Sequence, residues 1–209
     1  MSNILNLLSG YWWIGALVGA LVLYKVILRM FFGLVIVPED KIGLITKKFT
    51  LFGVKNELTG ERIIATNGEA GFQAKTLSAG LHWFMWPWQY KIDMQGFIVI
   101  PEGHIGLISS KDGSVPKTGR ILGRTVECGN FQDAEAFLKN GGQKGRQSSF
   151  IPNGVYKINT HLFEVSAVKQ ATIQENMVGI VTSLDGEPLE KEQIAGKNIE
   201  GHKDRKSVV

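Results

Sequence analysis

The side chains that could do chemistry in this 209-residue chain are few and scattered. Four histidines stand at His82, His104, His161 and His202, far from one another and from the single cysteine, Cys128. Zinc sites draw their ligands from close sequence pairs of Cys and His, so this spacing argues against a metal centre. Glu39, Glu102 and Glu175 recur at one position of a repeated phrase, which raises the idea of paired carboxylates in general acid–base catalysis. Copies of one repeat position belong to separate modules, however, and an acid beside a turn readily accepts local backbone hydrogen bonds. The structural role is the better reading. There is no Gly-x-Ser-x-Gly elbow, phosphate-binding loop or dinucleotide fingerprint. Cys128 has no partner for an intramolecular disulfide and reads as a small, semi-buried apolar residue. The expectation is a protein without catalytic residues, metal or cofactor.

The one dense cluster is aromatic: Leu81-His82-Trp83-Phe84-Met85-Trp86-Pro87-Trp88-Gln89-Tyr90. Its rings exceed what alternation into a small core needs. One face can pack inward while the other, with Trp83, Met85 and Trp86 or Trp88, lies at lipid headgroup level, as amphipathic rings prefer. Trp83, Phe84, Met85, Trp86 and Trp88 are therefore the candidate membrane-contact residues. Core packing and a groove for a partner are the competing readings. Net charge is +4, with basic residues at Lys25, Arg29, Lys47, Lys48 and in the tail from Lys203. They are not interleaved with stacking aromatics, which excludes the usual nucleic-acid surface. Positive charge beside apolar sequence suits a membrane surface instead.

Ile4 to Tyr24 contains no charged residue. At 1.5 Å per residue this run spans about 31 Å, close to the hydrocarbon thickness of a bilayer. The inserted window extends toward Phe31–Val37 if Lys25 and Arg29 snorkel. A cleaved signal peptide needs basic residues before the run, and the first one here is Lys25. A retained single-pass anchor is favoured, with the C-terminal part in the cytoplasm by the positive-inside rule. Gly15 and Gly19 form a small-xxx-small face for helix packing in lipid, or merely reflect membrane-helix composition.

The rest of the chain, 44% hydrophobic overall and with only 6 Pro, reads as folded and repetitive. "IVPEDKIGLI" from Ile36, "VIPEGHIGLI" from Val99 and "TIQENMVGIV" from Thr172 are versions of one phrase, and 63 and then 73 residues separate Gly43, Gly106 and Gly179. Later positions follow: Gln73 matches Gln147 and Gly80 matches Gly154, both 74 apart. The phrase reads as strand, turn, strand, with Pro38-Glu39 and Pro101-Glu102 as module turns. A Gly inside Ile-Gly-Leu-Ile suggests a bulge or a close backbone approach. The longer second copy carries an insert that reads as a short helix over 131–139, with Asn130 as N-cap and Phe131, Ala134 and Leu138 on one face. The third copy stops early, which would leave a strand edge unpaired. A fragment of a longer protein is therefore expected. The fold expectation is α+β and β-rich: an anchor over 1–33, small β modules over 34–97 and 98–170, and an incomplete third repeat over 171–209.

"VPEDKIGLI" and "IPEGHIGLI" after an apolar anchor, followed by "LSAGLHWFMWPWQYKI", resemble the opening of the SPFH superfamily, the stomatin, prohibitin, flotillin and band-7 group. Pro38-Glu39, Ile42-Gly43-Leu44, Gly80-Leu81-His82-Trp83 and Pro87 carry the likeness, and bacterial flotillin-like proteins look most similar. The sequence departs from the family in its tandem copies and in lacking the α/β domain and coiled coil. The resemblance implies a membrane-anchored scaffold that forms homo-oligomers, or hetero-oligomers with other SPFH proteins. Such assemblies organise membrane microdomains or enclose partners such as a membrane protease, and no catalysis is implied. Two further classes stand beside it: a regulatory partner of a membrane protease, and an exported β-module binding protein.

Overall fold

The computed structural model describes residues 2–50, 58, 60, 62–116 and 120–180. The chain is β-rich, with one long N-terminal helix and several small sheets. Helix α1 spans Ser2–Phe31. Its Leu-rich sequence has no proline, and Gly10, Gly15 and Gly19 do not interrupt the helix. Within it, Tyr11–Phe31 is a 21-residue span of mean hydropathy 1.9, none of it buried, and is long and apolar enough to cross a membrane. The helix ends at a left-handed Gly33, φ 60°, with the amides of Phe32 and Leu34 both donating to the Leu28 carbonyl, at 3.0 and 3.4 Å. The apolar run thus ends as helix at Phe31, and Val35–Val37 is already a strand.

The chain divides into two compact units, Met1–Ile98 with Lys157–His161, and Val99–Tyr156 with the residues from Leu162 on. In unit 1, β1 (Val35–Val37) pairs antiparallel with β5 (Gly80–His82). A second sheet has the order β3-β4-β2-β6, from Ile64–Ala65, Gly71–Leu77, Lys41–Lys47 and Tyr90–Gly96. In unit 2, β7 (Ile98–Ile100, its first residue on the unit 1 side) pairs with β10 (Gly154–Tyr156). Its sheet has the order β11-β8-β9, from Phe163–Lys169, His104–Ser110 and Gly145–Ile151. Apart from β3, whose place in unit 2 is taken by an isolated parallel bridge of Gly123 with Gln147, strand lengths, order and pairings match between the units, and both have a register shift at one repeat position, Leu44/Thr46 and Leu107/Ser109. The segment Lys157–His161, expected within the second module, belongs with unit 1.

The repeated phrase takes the expected shape for a different local reason. The amides of Lys41 and His104 donate to the carbonyls of Pro38 and Pro101, each at 3.2 Å. Each Pro is therefore the first residue of its turn and does not preset a central φ. In the third copy Met177 donates to Gln174 at 3.1 Å with Asn176 at φ 66°, so the turn recurs there without a flanking strand among residues 171–180. The remainder of that copy lies outside the described residues. Gly43 and Gly106 are close approaches: a Cβ on Gly43 would lie 3.1 Å from Leu77, and one on Gly106 only 2.5 Å from Ile151.

The inner cluster of unit 1 is Val35, Val37, Ile45 and Leu77, with Met85, Tyr90 and Ile92 against it. The insert of unit 2 forms α2 (Ala134–Lys139), shorter than expected, and its N-cap is Asp133, which accepts from the Ala136 amide at 2.8 Å. Asn130 instead sits in the left-handed region at φ 54°, and Phe137 replaces Leu138 on the buried face with Phe131 and Ala134. The rings of Phe131, Phe137 and Phe163 pack edge to face or tilted, 4.9–6.0 Å apart.

Candidate functional site

The residues from Trp83 to Gln89 join β5 to β6 as a loop held against the end of α1. The Phe84 amide donates to the Phe32 carbonyl at 3.0 Å, the Met85 amide to Gly33 at 2.8 Å, and the Trp86 indole to Phe31 at 3.1 Å. The last carbonyls of a helix have no intrahelical donors. Here the carbonyl of Phe31, the last helical residue, and those of Phe32 and Gly33 just past it are satisfied by a segment about 50 residues further along the chain. Gly33 makes this approach possible, because a Cβ there would lie 2.6 Å from the Met85 nitrogen. Phe84 is itself at φ 62°, a conformation costly for a bulky residue.

The rings form two connected groups. Phe32 meets Trp83 edge-on at 6.4 Å. Phe84, Trp86, Trp88 and Phe49 follow one another at centroid separations of 5.7, 5.7 and 5.9 Å. The Lys48 ammonium donates to the Pro87 carbonyl at 2.8 Å, and the Gln89 amide closes the loop on the Trp86 carbonyl at 3.0 Å. Trp83 is 48% exposed, Phe84 64% and Trp88 46%, while Trp86 is half-buried. Met85 turns inward onto the cluster of Val35, Val37, Ile45 and Leu77. Its expected place on an outward face rests on strand alternation, and a loop imposes none. Phe31, Phe32, Gly33 and Phe49 join the site without having been singled out by sequence, and Lys48, named there only for its charge, joins through Pro87. The signal for them is the glycine just past the end of the helix.

The other candidates lie apart. His82 Nε2 is 2.8 Å from the Ser78 carbonyl, His104 Nδ1 is 3.1 Å from the Glu102 carbonyl, and His161 packs on the Phe72 ring. His202 lies outside the described residues. Among the described residues no three His, Cys, Asp or Glu side chains gather to hold a metal ion. Burial pushes the Cys128 thiol up, with Glu127 and Asp133 adding to it against a backbone hydrogen bond from Phe131. Glu39, Glu102 and Glu175 are exposed at the second position of the three turns. A Cβ on Gly15 or Gly19 would meet nothing within 4 Å, so that face of α1 is open.

Sequence reasoning missed Glu69, a buried carboxylate whose Oε2 accepts from the Asn67 amide at 2.9 Å. Burial pushes its carboxyl up, but the backbone amides of Asn67 and Glu69, the Arg62 charge and the Asn67 side chain outweigh that and hold it below the ordinary range. Its partners make it a loop fastener. No protein-family model matches the chain, and no curated protein or solved structure matches it significantly.

Proposed function

We propose that the chain is a membrane-anchored scaffold of the SPFH-like kind, which acts by assembling into oligomers beside the bilayer rather than by catalysis. The observation that carries the reading is the aromatic loop clasped to the end of the apolar helix α1. A helix that crosses the hydrocarbon and a ring of Trp and Phe at its exit are the two parts of an interfacial anchor. Lys25, Arg29 and Lys48 lie on or beside that exit and suit an anionic cytoplasmic leaflet. The loop also orients the strands of unit 1: hydrogen bonds at three successive carbonyls leave them little freedom to swing about Gly33.

In this reading α1 is a single cell-membrane pass with its N-terminus outside. The units after it are SPFH-like modules in the cytoplasm, able to organise microdomains or enclose a membrane protein such as a protease. The test is the size of the full chain reconstituted in lipid nanodiscs and in mild detergent, together with a C-terminal topology reporter. Higher-order assembly and a cytoplasmic reporter are expected. A strictly monomeric chain sinks the scaffold, and an exported reporter sinks the topology.

A further inference from the structure

The central sheet of each unit ends in an edge strand, β6 in unit 1 and β11 in unit 2. The two strands hold equivalent places. β6 runs antiparallel to β2 with Gly96 opposite Lys41, and β11 runs antiparallel to β8 with Lys169 opposite His104. Hydrogen bonds fix which way each β11 residue turns its backbone. The Gln170 amide donates to the Gly103 carbonyl at 2.7 Å, and the Lys111 amide to the Leu162 carbonyl at 2.8 Å. Bonded pairs alternate along an antiparallel ladder. Glu164, Ser166 and Val168 therefore bond toward β8, while Val165, Ala167 and Lys169 turn their N–H and C=O groups to the open edge. Among the described residues nothing donates to or accepts from those outward groups.

The equivalent strands differ in what guards the edge. Charged side chains along an edge strand keep other strands away. β6 carries Lys91 and Asp93, an ion pair at 3.0 Å, and Gln95, which donates to the Ile158 carbonyl and accepts from the Thr160 hydroxyl. β11 has Glu164, Ser166 and Val168 at those positions, and every residue from Ser166 to Lys169 is exposed. Its charges stand at its ends, acidic at Glu164 and basic at Lys169, with Val165, Ser166, Ala167 and Val168 between them.

We propose that the β11 edge pairs antiparallel with β11 of a second copy of this chain, about a two-fold axis at Ala167. Val165, Ala167 and Lys169 of one copy then face Lys169, Ala167 and Val165 of the other, and exchange about six backbone hydrogen bonds. The charges select this partner and this direction. Antiparallel pairing brings the Glu164 end of each strand to the Lys169 end of the other, whereas parallel pairing sets like charge beside like. The two side chains leave opposite faces, so the attraction steers the encounter without forming an ion pair. So short a strand buries far less than the roughly 800 Å² per partner of a stable interface. The pairing therefore rests on the anchored reading above, in which two chains held in one bilayer meet at a raised effective concentration.

The test reads disulfide formation by the full chain in lipid vesicles, with Ala167→Cys in a Cys128→Ala background. Facing residues of a hydrogen-bonded pair stand about 5.5 Å apart at Cα, within disulfide reach. Cross-linking is expected to run about tenfold or more faster than for Met94→Cys, the equivalent exposed position on β6. Glu164→Lys should slow it about threefold, and Lys169→Glu in the same chain should restore it. Equal rates at positions 167 and 94 overturn the pairing. Protection of Ala167→Cys from maleimide at chain densities too low for cross-linking overturns it as well, since that assigns the edge to another strand. Flotation of the chain with the vesicles is scored separately. A chain that does not float overturns the anchored reading, and positions 167 and 94 are then compared in concentrated detergent solution, where equal rates again overturn the pairing.

Discussion

The loops that follow β5 and β10 occupy the same place in the repeat and have opposite chemistry. The first, from Trp83, is aromatic, exposes three rings and grips the carbonyl end of α1 through backbone and indole donors. The second, from Lys157, is polar, buries Asn159 and Ile158 and grips strand carbonyls in unit 1. Both do one mechanical task, which is to supply hydrogen-bond donors to acceptors left over by regular structure. What differs is the surface each turns outward: one is finished by protein and the other leaves aromatic area free. Repetition of a strand pattern therefore predicts where such a loop falls and not what it faces, because the facing is decided by side chains that the repeat does not preserve.

Gly33 and Gly96 are equivalent positions that separate these two cases most sharply. Gly33 has φ 60° and would place a Cβ 2.6 Å from the Met85 nitrogen, whereas a Cβ on Gly96 would meet nothing within 4 Å. Gly33→Ala is expected to destabilise unit 1 by about 2–4 kcal/mol through left-handed strain and loss of the clasp. Gly96→Ala should cost under about 1 kcal/mol. Urea unfolding of the full chain in detergent measures both, and equal costs would mean that the clasp is not specific to the aromatic loop. Asn159→Ala comes next. It leaves the carbonyls of Gln73 and Ala74 and the His161 amide without their partner, at an expected cost of about 2 kcal/mol by the same measurement.

Much of the strand pattern is legible from residue spacing. The glycines at Gly43 and Gly106 fall where side chains approach within about a Cβ's reach, and Gln73 and Gln147 repeat one contact. Gln73 donates to the carbonyls of Glu69 and Gly71 at 2.8 and 3.0 Å, and Gln147 donates to Gln143 and Gly145 at 2.7 and 2.8 Å. His82 and Tyr156 likewise each reach a carbonyl four residues back, at Ser78 and Pro152. The irregular segments are not legible in this way. Alternation points Met85 outward, but alternation holds only in strands. Asn130 suits a cap by residue type, although it is Asp133 that has the required extended backbone. The clasp on α1 is a long-range contact that no local pattern encodes. For the aromatic loop, spacing identifies the residues but not their attachment.

The outward surfaces of the two loops can be separated by lipid contact. In a Trp12→Phe, Trp13→Phe background, the remaining indoles are Trp83, Trp86 and Trp88. In bilayers containing brominated lipid their fluorescence should be quenched, and Trp83→Ser with Trp88→Ser should remove most of that quenching while unit 1 stays folded. A Trp placed at exposed Val155, beside the second loop, should be quenched far less. Equal quenching at both sites would erase the distinction between the loops.

The smallest expected effect is also set by one repeat position that differs between the units. Glu69 corresponds to Gln143, and both side chains accept from a backbone amide: Glu69 from Asn67 at 2.9 Å, Gln143 from Arg124 at 2.9 Å. The carboxylate titrates and the amide does not. Because the folded carboxyl of Glu69 lies below its ordinary value, it stabilises unit 1 at pH above the unfolded value of about 4.3. That contribution is lost as pH falls through the lower folded value. Unit 1 should therefore lose stability in mild acid where unit 2 has no corresponding loss from this position. Glu69→Gln should flatten the acid limb of unit 1 unfolding, followed by Trp fluorescence between pH 3 and 7 in steps of about half a unit. The unsubstituted carboxylate costs its own burial, which the amides and Arg62 more than offset. The exchange should thus lower stability at neutral pH by a small amount and leave it nearly unchanged in acid. A parallel downward shift at every pH would mean that Glu69 acts through shape alone.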